Sequence, residues 1–152
     1  MDINIEPYEK DGYKINGIRY TKIRPIVMGI VIHKNKILLT EHHTKEVPFY
    51  RCIGGGIQFG ELSEEALKRE FIEEIDSDIK INKYLGLSEN IFFHKEIYNH
   101  ELIIFYEVEL NTNEYKEEYE ILDCNIVAKW LDIDDIINGK KRVYPEKIVE
   151  FI

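Results

Sequence analysis

Basic residues are scarce in this chain: 20 Lys and Arg stand against 29 Asp and Glu, for a net charge of −9. A surface that acidic excludes electrostatic binding to duplex nucleic acid or to an anionic membrane face. An anionic substrate would instead need a divalent cation as a bridge. Cysteine is nearly absent, and Cys52 and Cys124 form no metal-binding spacing and no disulfide framework. Ordinary thiols in a reducing, cytoplasmic setting are the expectation. Long apolar runs are missing too, and residues 1–10 are polar and mixed in charge, so neither an export signal nor a membrane span is expected. Only four prolines occur, and no Gly/Ser/Pro-rich linker or internal repeat divides the 152 residues. With 44% hydrophobic residues the chain can fill one core, and a single domain over 1–152 is expected.

What is present is a sequence of short β-rich segments around one strongly patterned helix. Residues 1–23 carry turn signals at Asp11-Gly12 and Asn16-Gly17, and read as a peripheral hairpin extension. Residues 24–32 and 37–40 read as a hairpin turning at Lys34-Asn35. A short strand at 50–53, a glycine-rich loop at 54–62 and a helix over 64–75 capped by Ser63 follow. Downstream, strands are expected at 79–88, 91–94, 101–110 and 126–131, then short helices at 133–137 and 145–152. Such an order gives a mixed α/β domain.

The helix carries the chemistry. At 100° per residue, Glu70, Glu73 and Glu74 fall within about 100° of one another, so three carboxylates crowd one face. Glu64 to Lys68 and Glu65 to Arg69 are well-ordered i,i+4 pairs, whereas Glu70 and Glu74 have no base at i±3 or i±4 and Glu73 has only Arg69. A solvated acidic helix would be balanced; this one reads as a cation site. Leu67, Phe71 and Ile75 make a separate apolar stripe about 110° away. One face can be buried while its neighbour holds ions.

With Gly55, Glu61, Arg69, Glu70, Phe71, Glu73 and Glu74 in view, the stretch resembles the Nudix box, Gly-x5-Glu-x7-Arg-Glu-U-x-Glu-Glu-x-Gly-U, where U is bulky and apolar. Two departures close it: Asp76 stands where the family has Gly, and Ser77 where it has an apolar residue. Asp tolerates a left-handed helix end better than most residues. Ile53 also replaces the Pro that often precedes the box. The resemblance, spanning about residues 25–137, implies an α/β/α sandwich of the MutT-like hydrolases with a mixed α+β sheet. It further implies a Mg²⁺-dependent pyrophosphatase, Mn²⁺ being an alternative, that cleaves the pyrophosphate bond of a nucleoside diphosphate linked to another moiety. Carried over by position, Glu70, Glu73, Glu74 and the Gly54 carbonyl become metal ligands, Arg69 orients a carboxylate, and Glu61 faces the same site.

Gly55, Gly56 and Arg51 are candidate substrate contacts, because glycines let backbone approach phosphate. A general base outside the box is open among Glu101, Glu117, Glu118 and Glu120. Phe49, Tyr50, Phe92, Phe93 and Tyr98 could stack a base, but core roles are the commoner fate. The histidines His42, His43, His94 and His100 show no zinc spacing and read as surface or hydrogen-bonding groups. A catalytically inactive nucleotide sensor is the alternative to a hydrolase, and the intact acidic core argues against it. An RNA-end hydrolase would need a basic path, and Lys34, Lys36, Lys45 and Arg51 are scattered along the chain. The expected partner is a small nucleotide-type substrate, with a homodimer left open.

Overall fold

The computed structural model describes residues 5–8, 12–15, 18–43, 47–94, 96–122 and 124–152, with side chains from residue 22 onward. In chain order it forms β1 (Ile5–Tyr8), β2 (Gly12–Ile15), β3 (Ile18–Ile30), β4 (Ile32–His33), β5 (Lys36–His42), β6 (Phe49–Arg51) and β7 (Ile53–Gly56). Helix α1 (Ser63–Ile75) precedes the long pair β8 (Ile79–His94) and β9 (Ile97–Leu110). Then come β10 (Glu118–Glu120), β11 (Val127–Asp132), α2 (Ile133–Ile137), β12 (Arg142–Val143) and a 3-10 helix, Glu146–Phe151. No helix among the described residues is long and apolar enough to cross a membrane.

Two mixed sheets result. One runs β1-β2-β3-β9-β8 with β7 also paired to β3; the other runs β10-β11-β5-β6-β12 with β4 on β5. Strand β3 has both faces covered, and its residues sort by alternation. Val27 and Val31 join Leu67, Phe71 and Ile75 of α1 in one core, while Ile26, Met28 and Ile30 join Phe105, Ile133 and Ile148 in the other. The helix thus lies on one side of the sheets, and α2 with the 3-10 helix on the other. A Cβ on Gly29 would stand 2.7 Å from Phe71 Cε2, so the phenyl ring seats directly on β3 where that side chain is missing.

Several sequence expectations are corrected. The segments at 24–32 and 37–40 do not form one hairpin: β3 pairs in parallel with β9, Val27 opposite Ile104, and only β4 turns back onto β5. That turn is at Lys34-Asn35 as expected, both with positive φ (49° and 61°), which suits a two-residue hairpin loop. The extension 1–23 does contain the expected hairpin, β1 on β2, and β2 pairs onward with β3 and so joins the first sheet. Asp11, Asn16 and Gly17 lie outside the described residues. Strands 79–88 and 91–94 are one irregular strand, and β9 begins at Ile97, before the expected 101. Strands β10 and β12 went unforeseen, three and two residues being too short for a periodic signal.

The two ends of α1 stand differently against expectation. Ser63 is not the cap: its hydroxyl pairs with the Tyr106 hydroxyl at 2.8 Å. Leu62 occupies the cap position, and the Glu65 carboxylate accepts from its N–H at 2.9 Å. At the other end Asp76 adopts the left-handed conformation (φ 51°, ψ 42°) that the family motif reserves for Gly, and its N–H still donates to the Ile72 carbonyl at 3.0 Å. The helix end is therefore formed despite the departure. An Asp76→Gly variant should gain up to about 1 kcal/mol in denaturant unfolding by relieving the left-handed cost. Glu73 and Glu74 should keep their positions in that variant, because the caps already hold this end of the helix.

Candidate active site

The glycine-rich strand brings backbone against the acidic helix. In β7, Gly54 faces Met28 and Gly55 faces Val27 across the antiparallel ladder. A side chain at Gly54 would run into the Val27 carbonyl, and one at Gly55 would collide with the Glu70 carboxyl group. The Glu70 carboxyl group can therefore pack against Gly55 only because Gly55 lacks Cβ, while Gly54 lets β7 close on β3.

Arg69 ties the acids together. Its Nε donates to Glu61 Oε1 at 2.7 Å and its Nη1 to Glu70 Oε1 at 2.7 Å and Glu73 Oε2 at 3.2 Å. Its Nη2 reaches Glu61 Oε2 and the Gly56 carbonyl, both at 3.0 Å. That fork-on-fork pairing with Glu61 is the bidentate geometry at which Arg excels. The hydrogen bonds from Arg69 and then from the Gln58 N–H hold the Glu61 carboxyl down to about 2. The same bond to Glu61, with further help from Glu70, raises the guanidinium above its ordinary value. Glu70 is thus paired with its neighbour in sequence, contrary to the expectation from i±3 and i±4 spacing.

Beside this network opens a cavity of about 250 Å³. Gly54, Gly55, Gly56, Arg51 and Glu74 line it, as does Glu101 of β9. Glu101 is only 2% exposed, and Arg51 Nη2 at 3.4 Å and Arg24 Nη1 at 3.9 Å hold it from two sides. Of the four candidate acids outside the box, Glu101 is the one facing this cavity. Glu117 lines a different groove with Trp130, and Glu118 and Glu120 are exposed on β10. His100, next in sequence to Glu101, points away to bond Glu89 at 3.0 Å.

Of the predicted residues, Glu61, Arg69, Glu70 and Glu73 form the ion network, while Arg51, Gly54, Gly55, Gly56 and Glu74 form the cavity wall. Arg69 bridges the two through the Gly56 carbonyl. Among the described residues no three acid, His or Cys side chains already converge as a ligand set. The reason is local: the cation between Glu70 and Glu73 is the Arg69 guanidinium. The donors nevertheless fit a hard divalent ion, since carboxylate and carbonyl oxygens are what Mg²⁺ takes and a few suffice. Cys52, also on the cavity, is buried and its thiol is pushed up to about 12, so it is inert, as expected of an ordinary core thiol.

Sequence reasoning overlooked Arg24, Thr40 and His42, which complete the wall from β3 and β5. Arg24 opens a β-rich segment and carried no motif. His42, expected as a surface or hydrogen-bonding group, is the latter: half-buried, with its Nε2 2.9 Å from Thr40 Oγ1. Of the scattered bases, Lys34 and Lys36 lie on the Trp130 groove, and Lys45 is outside the described residues.

Beneath Arg51, Tyr50 donates to Glu41 Oε2 at 2.9 Å and Lys129 to Glu41 Oε1 at 3.2 Å. Burial alone would raise the Glu41 carboxyl, but these two hydrogen bonds outweigh it and the net direction is down. Because the folded state releases this proton more readily, the stabilisation is complete above the ordinary value of 4.5 and fades as pH falls through the folded value. A Glu41→Gln protein should accordingly show a lower melting temperature at neutral pH, by about 2–8 °C for a loss near 1 kcal/mol. Its further decline below pH 4.5 should be shallower than that of wild type.

Comparison with known proteins places this geometry. The model of the NUDIX domain matches residues 22–150. The NAD-capped RNA hydrolase NudC of Vibrio atlanticus is 33% identical over 69 residues, 45% of this chain and 26% of that protein. The NudC of Vibrio cholerae is 25% identical over 120 residues, 78% of this chain and 41% of its own. The chain thus spans from about a quarter to under half the length of these relatives. Among solved structures, a NUDIX hydrolase from Nitrosomonas europaea shares the fold at a TM-score of 0.64 and 19% identity, over 85% of each chain. With the family model covering the glycine strand, the acidic helix and every strand from β4 to β12, the chain belongs to the NUDIX family.

Proposed function

We propose that this chain is a single-domain, Mg²⁺-dependent pyrophosphohydrolase, with residues 1–23 peripheral to catalysis. It cleaves a nucleoside diphosphate derivative between the phosphorus atoms, so one product is a nucleoside monophosphate. The observation that carries this reading is the Arg69 network, which ties three box carboxylates to the Gly56 carbonyl of the strand that lines the cavity, where Arg24, Arg51, Glu74 and Glu101 also stand. A sensor that only bound nucleotides would have no use for that concentration of negative charge beside an anion.

Glu70, Glu73, Glu74 and the Gly54 carbonyl would hold Mg²⁺ or Mn²⁺, which supplies neutralisation of the diphosphate charge and a more acidic bound water. Arg69 keeps Glu61 ionised and orients both Glu61 and Glu70, with Glu73 sharing the same guanidinium. Gly55 and Gly56 allow the diphosphate to reach the backbone. Arg51 and Arg24 face its oxygens from the opposite wall. A carboxylate oxygen of Glu101, held between these two arginines, accepts the proton of the attacking water. Glu101 is chosen over Glu117, Glu118 and Glu120 because it alone of the four faces the cavity.

The test is a substrate panel with Mg²⁺, followed by phosphate or nucleotide release: nucleoside triphosphates, dinucleoside polyphosphates, ADP-ribose, nucleotide sugars and NAD. NAD, with NAD-capped RNA beside it, enters because the relatives are named for that capped substrate. Turnover of at least one diphosphate-linked nucleotide is expected. Tight binding without turnover anywhere in the panel would replace the enzyme with a nucleotide sensor. In parallel, Mg²⁺ titrated into chelated protein should stabilise it by about 2.7 kcal/mol at a hundredfold excess over Kd, read as a rise in Tm. Glu73→Gln should blunt that rise, and an equal rise in both proteins would remove Glu73 from the ligand set.

A further inference from the structure

Three aromatic rings meet at the groove beside Trp130, a space of about 440 Å³ that shares no lining residue with the catalytic cavity. That volume is within the roughly 300–1,000 Å³ range of small-molecule sites. Trp130 of β11 and Tyr115 have centroids 5.6 Å apart and planes 34° from parallel, and His33 of β4 stands edge-on to Tyr115 at 4.5 Å and 89°. Each ring comes from a different segment. The backbone of Lys116 holds the platform in shape: its carbonyl accepts from Trp130 Nε1 at 2.9 Å, and its N–H donates to the Tyr119 hydroxyl at 3.1 Å. With the single indole N–H bonded, Trp130 has only ring surface left to offer a ligand. Two rings close to parallel and a third across them form a corner in which a further flat ring can stack.

Positive charge converges on the same groove. Lys34, Lys36 and Lys116 line it against one carboxylate among the described residues, Glu117, in a chain whose net charge is −9. Lys36 also pairs with Asp132 at 3.7 Å, but both side chains are about half exposed, and an ion pair of that kind is weak enough to exchange for a better partner. Lys34 is held at a conformational cost. It and Asn35 are the central residues of the turn from β4 to β5, with φ of 49° and 61°, a conformation that Gly and Asn adopt readily and Lys rarely. Among the described residues the Lys34 side chain makes no ion pair or hydrogen bond that offsets the strain. A charged side chain kept in a strained turn without a partner in the fold points to a partner outside it.

We propose that this groove is a second, non-catalytic site that binds a nucleotide the chain does not cleave, its base stacked in the corner of Trp130, Tyr115 and His33 and its phosphate met by Lys34, Lys36 and Lys116. Rings alone would suit any flat ligand and lysines alone any anion; together they select a ligand that is flat at one end and anionic at the other. The box carboxylates and the glycine strand take no part in the lining, so the groove holds without hydrolysing. Trp130 lies opposite Leu38 and shares its sheet face with Thr40 of the catalytic cavity. Lys36 is four residues from Thr40 along β5, about 13 Å at the usual rise of a strand, so the two sites can be filled together.

Trp130 is the single tryptophan of the chain, so its fluorescence reports on this groove directly. In chelator, AMP, ribose 5-phosphate and tetraadenylate are titrated into wild type, His33→Leu, Lys34→Asn and Arg24→Ala. AMP should quench the indole and bind about tenfold more tightly than ribose 5-phosphate, the measure of one stacked base. His33→Leu should reduce that ratio. Lys34→Asn should weaken AMP by up to about fivefold, the scale of one exposed charge contact, and yet melt no lower than wild type, because Asn suits the left-handed turn position. Arg24→Ala, which alters the catalytic cavity, should leave the quenching unchanged. Tetraadenylate bound beyond its about fourfold statistical advantage assigns the nucleotide to a single strand, and within it to a free ligand. Absence of quenching, equal binding of AMP and ribose 5-phosphate, unchanged AMP affinity in both folded groove variants, or quenching abolished by Arg24→Ala would overturn the proposal. No turnover enters these measurements, so the groove stands or falls separately from the hydrolase reading.

Discussion

A Glu74→Gln protein is expected to melt no lower than wild type in the absence of metal, yet to turn over its substrate about 100- to 1,000-fold more slowly. Losses of that size follow removal of a single preorganised electrostatic group from a site of this kind. Glu74 is on the wall shared with Gly54, Gly55, Gly56 and Glu101, where a diphosphate and its cation would sit. Its backbone ties down the adjoining loop: the Glu74 carbonyl accepts from the Leu122 N–H at 3.0 Å, and that bond survives the substitution. Gln keeps the size and removes the charge. Removing one of three like charges from a single helix face relieves repulsion in the metal-free protein. Steady-state kcat with a saturating substrate, set beside a melting curve in chelator, separates the two effects. A variant that lost stability together with turnover would make Glu74 a structural acid.

Legibility in the sequence followed the range of the interactions. The helix, its apolar stripe and its acidic face are all local, so a 3.6-residue period revealed Leu67, Phe71 and Ile75 on one side and Glu70, Glu73 and Glu74 on another. The glycines preceding it were legible for the same reason. Pairings outside the usual spacing were not. Arg69 and Glu70 are adjacent, and neighbours one apart do not normally face each other on a helix. Here the guanidinium, drawn by Glu61 and the Gly56 carbonyl, folds back far enough to reach Glu70 as well. Parallel pairing of β3 with β9 joins Val27 to Ile104 and leaves no local trace, because such strands are never linked by a short turn. Glu101 became distinguishable from Glu117, Glu118 and Glu120 only through that pairing, which sets it opposite Arg24 and buries it. The aromatic groove is the extreme case, since His33, Tyr115 and Trp130 come from three separate segments and meet only once the second sheet has formed. The rings that the sequence offered for stacking are others, and Tyr50, one of them, is core.

Replacing Phe71 by Ala is expected to cost about 3–5 kcal/mol in denaturant unfolding, a large share of the stability of a domain this size. The side chain is fully buried, and the absence of Cβ at Gly29 shows that β3 is shaped to receive it. Neighbouring side chains such as Val108 could not close the space without moving β9. The consequence reaches function, because Phe71 sits between Glu70 and Glu73 in sequence and is the anchor that sets the depth of α1 against β7. With the anchor gone, the helix is free to shift relative to Gly54 and Gly55, and a displacement of about 1 Å can cost about 100-fold in rate. Activity measured well below the lowered Tm should therefore fall as well, and mainly in kcat. Phe71→Leu supplies the contrast: retaining most of the buried volume, it should recover most of the stability and of the turnover. Should Phe71→Ala unfold easily but work at full rate while folded, the position of the acidic helix would have to be set by Arg69 and the caps rather than by the core beneath it.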